Sequence, residues 1–180
     1  MSQFGLGHTV PVPGRREVFV YRVDTDDGER DVVSTLDPGW VFAQGLGLAT
    51  IIGYLRGGAA EDVADLADLG PADFEENPAF RWLFSRAIYE DIGEVEGIRL
   101  EAAVQGKGHV YLLDGRTPDP GGRVPPEDIV GSVRVADGVV VPGSYQHNPR
   151  HRLLTANGFF QLPPELEAGL ARRLRAPGPE

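Results

Sequence analysis

The longest charge-free run in the 180-residue chain is Trp40–Leu55, WVFAQGLGLATIIGYL, and any fold has to bury much of it. Asp37-Pro38 precedes it, a side chain that can cap free helix NH groups and a ring whose missing NH costs nothing at a first helical position. Arg56, Gly57 and Gly58 follow as a cation and a left-handed stop suited to a helix end. Between them Val41, Leu48, Ile52 and Leu55 share one helical face while Phe42, Leu46 and Ile51 occupy others. That pattern predicts a core helix, apolar nearly all round. Gly45, Gly47 and Gly53 oppose it by roughly 3 kcal/mol of helix propensity. Burial of the large apolar side chains offers on the order of 15–25 kcal/mol before ordering entropy is subtracted. The helix is therefore expected, with a neighbouring backbone close to its glycines. The run is shorter than the about 20 residues of a membrane span. Gly45-Leu46-Gly47 lacks the third glycine and the preceding strand of a dinucleotide-binding turn.

Around this run the periodicity alternates between two and 3.6. Glu17 to Val23 and Arg30 to Ser34 read as a hairpin across the turn Asp24 to Gly28. That turn carries three aspartates but misses the glycine and acid positions of a calcium loop. Ala59 to Leu69 reads as an amphipathic helix whose outer face is acidic through Glu61, Asp62, Asp65 and Asp68. Asn77-Pro78 starts a third helix, Ala79 to Ile92, stopped by Gly93. From Gly97 the apolar residues Ile98, Leu100, Ala102 and Val104 alternate with Arg99, Glu101 and Ala103, which predicts a strand turning at Gly106-Lys107-Gly108 into His109–Leu113. Asp137-Gly138 and Asn157-Gly158 mark two further hairpins, and Pro163-Pro164 opens a last helix with Leu166, Leu170 and Leu174 on one side. The expected fold is α+β: a mainly antiparallel sheet of several hairpins, three central helices and a C-terminal helix, in a single domain over 1–180. Residues 1–14 and 176–180 read as irregular or mobile.

Composition narrows the function classes. A net charge of −10 disfavours nucleic acid and anionic membrane as partners. The absence of cysteine removes disulfides, thiolate metal sites and thiol nucleophiles. The first residues show no basic region leading into an apolar run, so the expected location is cytoplasmic. Ser132 and Ser144 lack the surroundings of a nucleophile elbow, and Lys107 lacks the spacing of a phosphate loop. His109 and Tyr111 fall on one face of a strand and read as a sheet-surface pair. No cofactor is expected.

The densest polar stretch is Tyr145 to Arg152, YQHNPRHR. His147 and His151 are the candidate catalytic groups, since imidazole titrates near neutrality, although no nucleophile accompanies them. Arg150 and Arg152, with Tyr145 and Asn148, are the candidate ligand-binding residues, two guanidinium groups being suited to an anion. A metal site is not expected, because the two histidines lack a local third ligand. A structural role is the competing reading, with arginine and asparagine tying the loop to backbone carbonyls. The expected function is an acidic protein-binding module of inhibitor, immunity or adaptor type, with Glu61, Asp62, Asp65 and Asp68 facing the partner. The alternative is an enzyme or small-anion binder using the His147–Arg152 loop.

Overall fold

The computed structural model describes residues 17–57, 69–118 and 122–176. The chain is α+β, with antiparallel sheets, helices between them and a C-terminal helix. Its described residues fall into two compact units, one within Met1–Leu83 together with Leu154–Gly158, the other within Phe84–Leu153 and Phe159–Ala176.

The first unit is built on a four-stranded antiparallel sheet in the order β1-β2-β3-β4. Strands β1 (Phe19–Thr25) and β2 (Gly28–Ser34) form the first hairpin, in register from Phe19 opposite Ser34 to Thr25 opposite Gly28. Phe19, Val20, Tyr21, Val32 and Val33 are buried. The Tyr21 hydroxyl donates to the Leu36 carbonyl at 2.6 Å. Burial, and after it the Asp37 carboxylate, pushes the Tyr21 phenol up to about 12.

The Trp40–Leu55 run is not one helix. Its start stands: Asp37 Oδ1 accepts from the Trp40 NH at 3.0 Å, with Pro38 opening helix α1 (Pro38–Gln44). Gly45 then takes φ +80 and donates its NH back to the Val41 carbonyl, which ends the helix after seven residues. A 3-10 turn at Leu48–Thr50 leads into strand β3 (Gly53–Leu55), which lies between β2 and β4 (Phe74–Glu76). The close backbone approach does occur, at Gly53, but in a sheet. A Cβ there would lie 2.3 Å from the Glu75 carbonyl oxygen and the Phe74 ring. Val41, Ile51, Ile52 and Leu55 are buried as expected, whereas Phe42 is 84% and Leu48 63% exposed. The glycines, rather than the apolar surface, decided the local structure. Asn77 holds the run in place, its Nδ2 donating to the Leu48 and Ile51 carbonyls at 2.8 Å each. The expected helix at 59–69 falls outside the described residues except for Leu69, as do the expected loose ends 1–14 and 176–180 except for Ala176.

Helix α2 (Pro78–Asp91) begins in the first unit and continues into the second. The second unit then differs from expectation at Ile98–Val104. This segment is helix α3 (Glu96–Gln105), not a strand, and Gly106 caps it. Leu, Arg, Glu and Ala at most of its positions favour a helix more than alternation favours a strand. Consequently β5 (Gly108–Leu113) pairs with β6 (Ile129–Ala136) rather than with its predecessor. Strand β6 also pairs with β7 (Val139–Val140) and β8 (Gln146–His147). The turn between β6 and β7 is the expected Asp137-Gly138, with φ of 52° and 73°. The Asn157-Gly158 signal gives a short hairpin of β9 (Leu154–Thr155) and β10 (Gly158–Phe159). Helix α4 (Pro164–Arg175) buries Leu166, Leu170 and Leu174 as their spacing requires. Its Arg173 bonds Asp91 Oδ2 at 2.6 Å and Glu90 Oε2 at 2.8 Å. Among the described residues no helix is long and apolar enough to cross a membrane.

Candidate functional site

In the second unit, the segment leaving β5, the 3-10 turn Pro126–Asp128 and the loop Asn148–Leu153 converge on a buried polar cluster. Asp114 Oδ2 lies 2.9 Å from His151 Nε2, and both side chains are fully enclosed. Asp114 Oδ1 accepts from the backbone NH of Gln161 at 2.9 Å and of Arg116 at 3.1 Å. Arg116 Nε donates to Asp128 Oδ1 at 2.9 Å. The rest of its guanidinium donates to the carbonyls of Leu153 at 3.1 Å, Glu127 at 3.0 Å and Arg152. A planar group with five donors in a fixed fork suits this role, since one side chain satisfies several loop carbonyls at once. Asp128 Oδ2 is buried without a hydrogen-bond partner among the described residues.

An aromatic wall closes the cluster. Phe84 of α2 stacks on the His151 ring at 5.7 Å with 7° between planes, and Phe160 meets Phe84 edge-on at 4.9 Å. His147 lies edge-on to His151 at 6.2 Å, with its Nδ1 3.4 Å from the Tyr145 hydroxyl. Thus Tyr145, His147 and His151 come together. A paired His and Asp resembles the base and its orienting group in acyl-transfer enzymes. Here the imidazole nitrogen facing Asp114 is sealed from solvent, and His151 is 1% exposed. A substrate atom has no approach to this pair in this arrangement.

The other loop candidates divide between tie-down and surface. Asn148 Nδ2 donates to the Pro126 and Ile129 carbonyls at 2.9 and 2.8 Å, while its Oδ1 accepts from the Arg150 NH at 3.1 Å. Arg150 and Arg152 are exposed, and Arg152 enters the cluster through its backbone carbonyl, not its guanidinium. His109 and Tyr111 are exposed on one face of β5, opposite Arg134 and Ser132 in register. Glu61, Asp62, Asp65 and Asp68 lie outside the described residues. Among the described residues no three His, Asp or Glu side chains converge as a metal ion requires.

Asp114, Arg116 and Asp128 were missed by sequence reasoning. They sit in or beside RTPDPGGRVPP, which reads as loop by its prolines and glycines. The usable signal was Arg116 two positions after Asp114, in a connection too long to remain untethered. No protein-family model, curated protein or solved structure matches the chain.

Proposed function

We propose that the chain is a protein-binding module of the cytoplasm, of inhibitor, immunity or adaptor type. The observation that carries this reading is the second apolar face of α3. Ile98 and Ala102 face the core, while Leu100 and Val104, one turn apart on the opposite side, are 61% and 90% exposed. Exposed Glu101 adjoins them on the helix, and the chain's net charge is −10. An exposed apolar pair, flanked by Glu101 and Arg99, in a protein of that net charge favours a partner with an apolar contact and basic surroundings. The enzyme or small-anion alternative using the His147–Arg152 loop has weaker support, because His151 and Asn148 are engaged in holding the loop.

The test is photo-crosslinking from position 104, with p-benzoylphenylalanine in place of Val104, in cells producing the protein. The expected result is one discrete adduct that disappears when Leu100→Glu is added. A diffuse background, or an adduct indifferent to Leu100→Glu, overturns the reading. The same variants should remain folded by circular dichroism, since both positions face solvent.

A further inference from the structure

The second unit also holds a cleft of about 500 Å³ lined by α2, α3 and the β6–β8 connection. Its floor is apolar, with Ile92, Val133 and Tyr145 buried and Val140, Val141 and Pro142 beside them. Two exposed polar side chains on its lining, Arg99 and Tyr89, make no hydrogen bond or ion pair to the other described residues and so stay open to a ligand at the cleft's mouth. The Tyr89 hydroxyl stands over Gly143, where a Cβ would come within 3.2 Å of it. Glu90 also lines the cleft, but its carboxylate is engaged by Arg173 at 2.8 Å and Arg86 at 2.9 Å. These bonds hold its carboxyl below the usual range, Arg173 contributing first. The Glu90 carboxylate is therefore compensated by its own arginine partners, and Arg99 is the cation of the lining without an ion pair among the described residues.

We infer that this cleft binds a small apolar monocarboxylate, with its hydrocarbon body on Val133, Val140 and Val141 and its carboxylate on Arg99 and the Tyr89 hydroxyl. The volume lies within the range of small-molecule sites, which are mostly apolar with a few polar groups fixing orientation. Guanidinium presents a fork matched to a carboxylate. The charge points to a monoanion. A phosphate would require more cationic donors than one arginine, in a protein whose average field repels dianions. The inference is independent of the protein-binding reading, because Leu100 and Val104 do not line the cleft.

Calorimetric titration of the full chain with octanoate and with 4-phenylbutyrate, alongside their primary amides, tests it. Saturable binding of the acids is expected. The amides, and Arg99→Gln titrated with the acids, should each bind at least about tenfold more weakly, as loss of a charge-assisted hydrogen bond implies. The Leu100→Glu, Val104→Glu double variant should bind the acids as the parent does, which separates this site from the partner face. No saturable binding, equal binding of acid and amide, or an Arg99→Gln variant that binds unchanged would each overturn the inference. So would tight binding confined to peptides with a free apolar C-terminus.

Discussion

The loop Tyr145–Arg152 and the outer face of α3 treat water in opposite ways. The loop is rich in polar groups yet seals His151 at 1% exposure, whereas α3 leaves Val104 90% exposed. The difference lies in what each group finds nearby. His151 has a carboxylate at 2.9 Å and an aromatic plane, and Asn148 has two carbonyls, so their polar atoms lose water without losing partners. Val104 has no described element over it. A cluster of this kind contributes specificity of loop placement more than net stability, and an exposed apolar face costs little to the isolated chain.

The comparison breaks most readily at Arg116. Arg116→Met should leave two buried carboxylates without their guanidinium and should destabilise the protein by about 3–5 kcal/mol in urea unfolding. A loss below about 1 kcal/mol would mean that the cluster admits water, since an exposed ion pair is worth no more than that. His151→Ala should cost about 1–3 kcal/mol, because Asp114 Oδ2 loses its partner and Phe84 its stacked ring. A double-mutant cycle of Asp114→Asn with His151→Ala should show coupling of about 0.5–3 kcal/mol.

A titratable control lies in the first unit. The folded Tyr21 phenol is raised from 10.0 to about 12, chiefly by burial. Its contribution is complete below pH 10, where both states hold the proton. As pH rises from 10 towards 12 the unfolded chain releases the proton first, so stability falls. Tyr21→Phe should cost about 0.5–1.5 kcal/mol at neutral pH through the lost bond to Leu36. It should also flatten the alkaline decline measured by chemical unfolding at stepped pH. An unchanged decline would assign the alkaline loss to other groups.

At the small end, Leu100→Glu with Val104→Glu, and Arg150→Ala with Arg152→Ala, should each shift stability by no more than about 0.5 kcal/mol. A larger loss in the α3 pair would show that its outer face is covered. A larger loss in the arginine pair would show that their guanidinium groups support the loop.

Local chemistry was read correctly at several caps and turns, although Arg56-Gly57 ends no helix and Gly106 caps a helix where a strand turn was expected. Asp37-Pro38 and Asn77-Pro78 start helices, and Asp137-Gly138 turns a hairpin because both residues accept positive φ. The leucines of α4 are buried because three residues at four-residue spacing share one helical face. The loop Tyr145–Arg152 was legible as a polar concentration, but not as a tether, because its partners Asp114 and Arg116 lie 37 and 36 positions from His151 and Arg152.

Two segments needed tertiary structure for opposite reasons. In Trp40–Leu55 the apolar surface permitted a helix, but β2 and β4 were available to pair with Gly53–Leu55, and Gly45 supplied the break. In Ile98–Val104 the alternation permitted a strand, yet β5 paired with β6 and left this segment to its helix propensity. The sequence by itself therefore determined the α+β class and the caps and turn at Asp37-Pro38, Asn77-Pro78 and Asp137-Gly138, which depend on neighbours within a few residues. Which apolar face is covered, and which charges are buried together, was decided only by the tertiary structure. Burial and pairing depend on distant segments meeting, and a periodicity of apolar residues records a face without recording what lies against it.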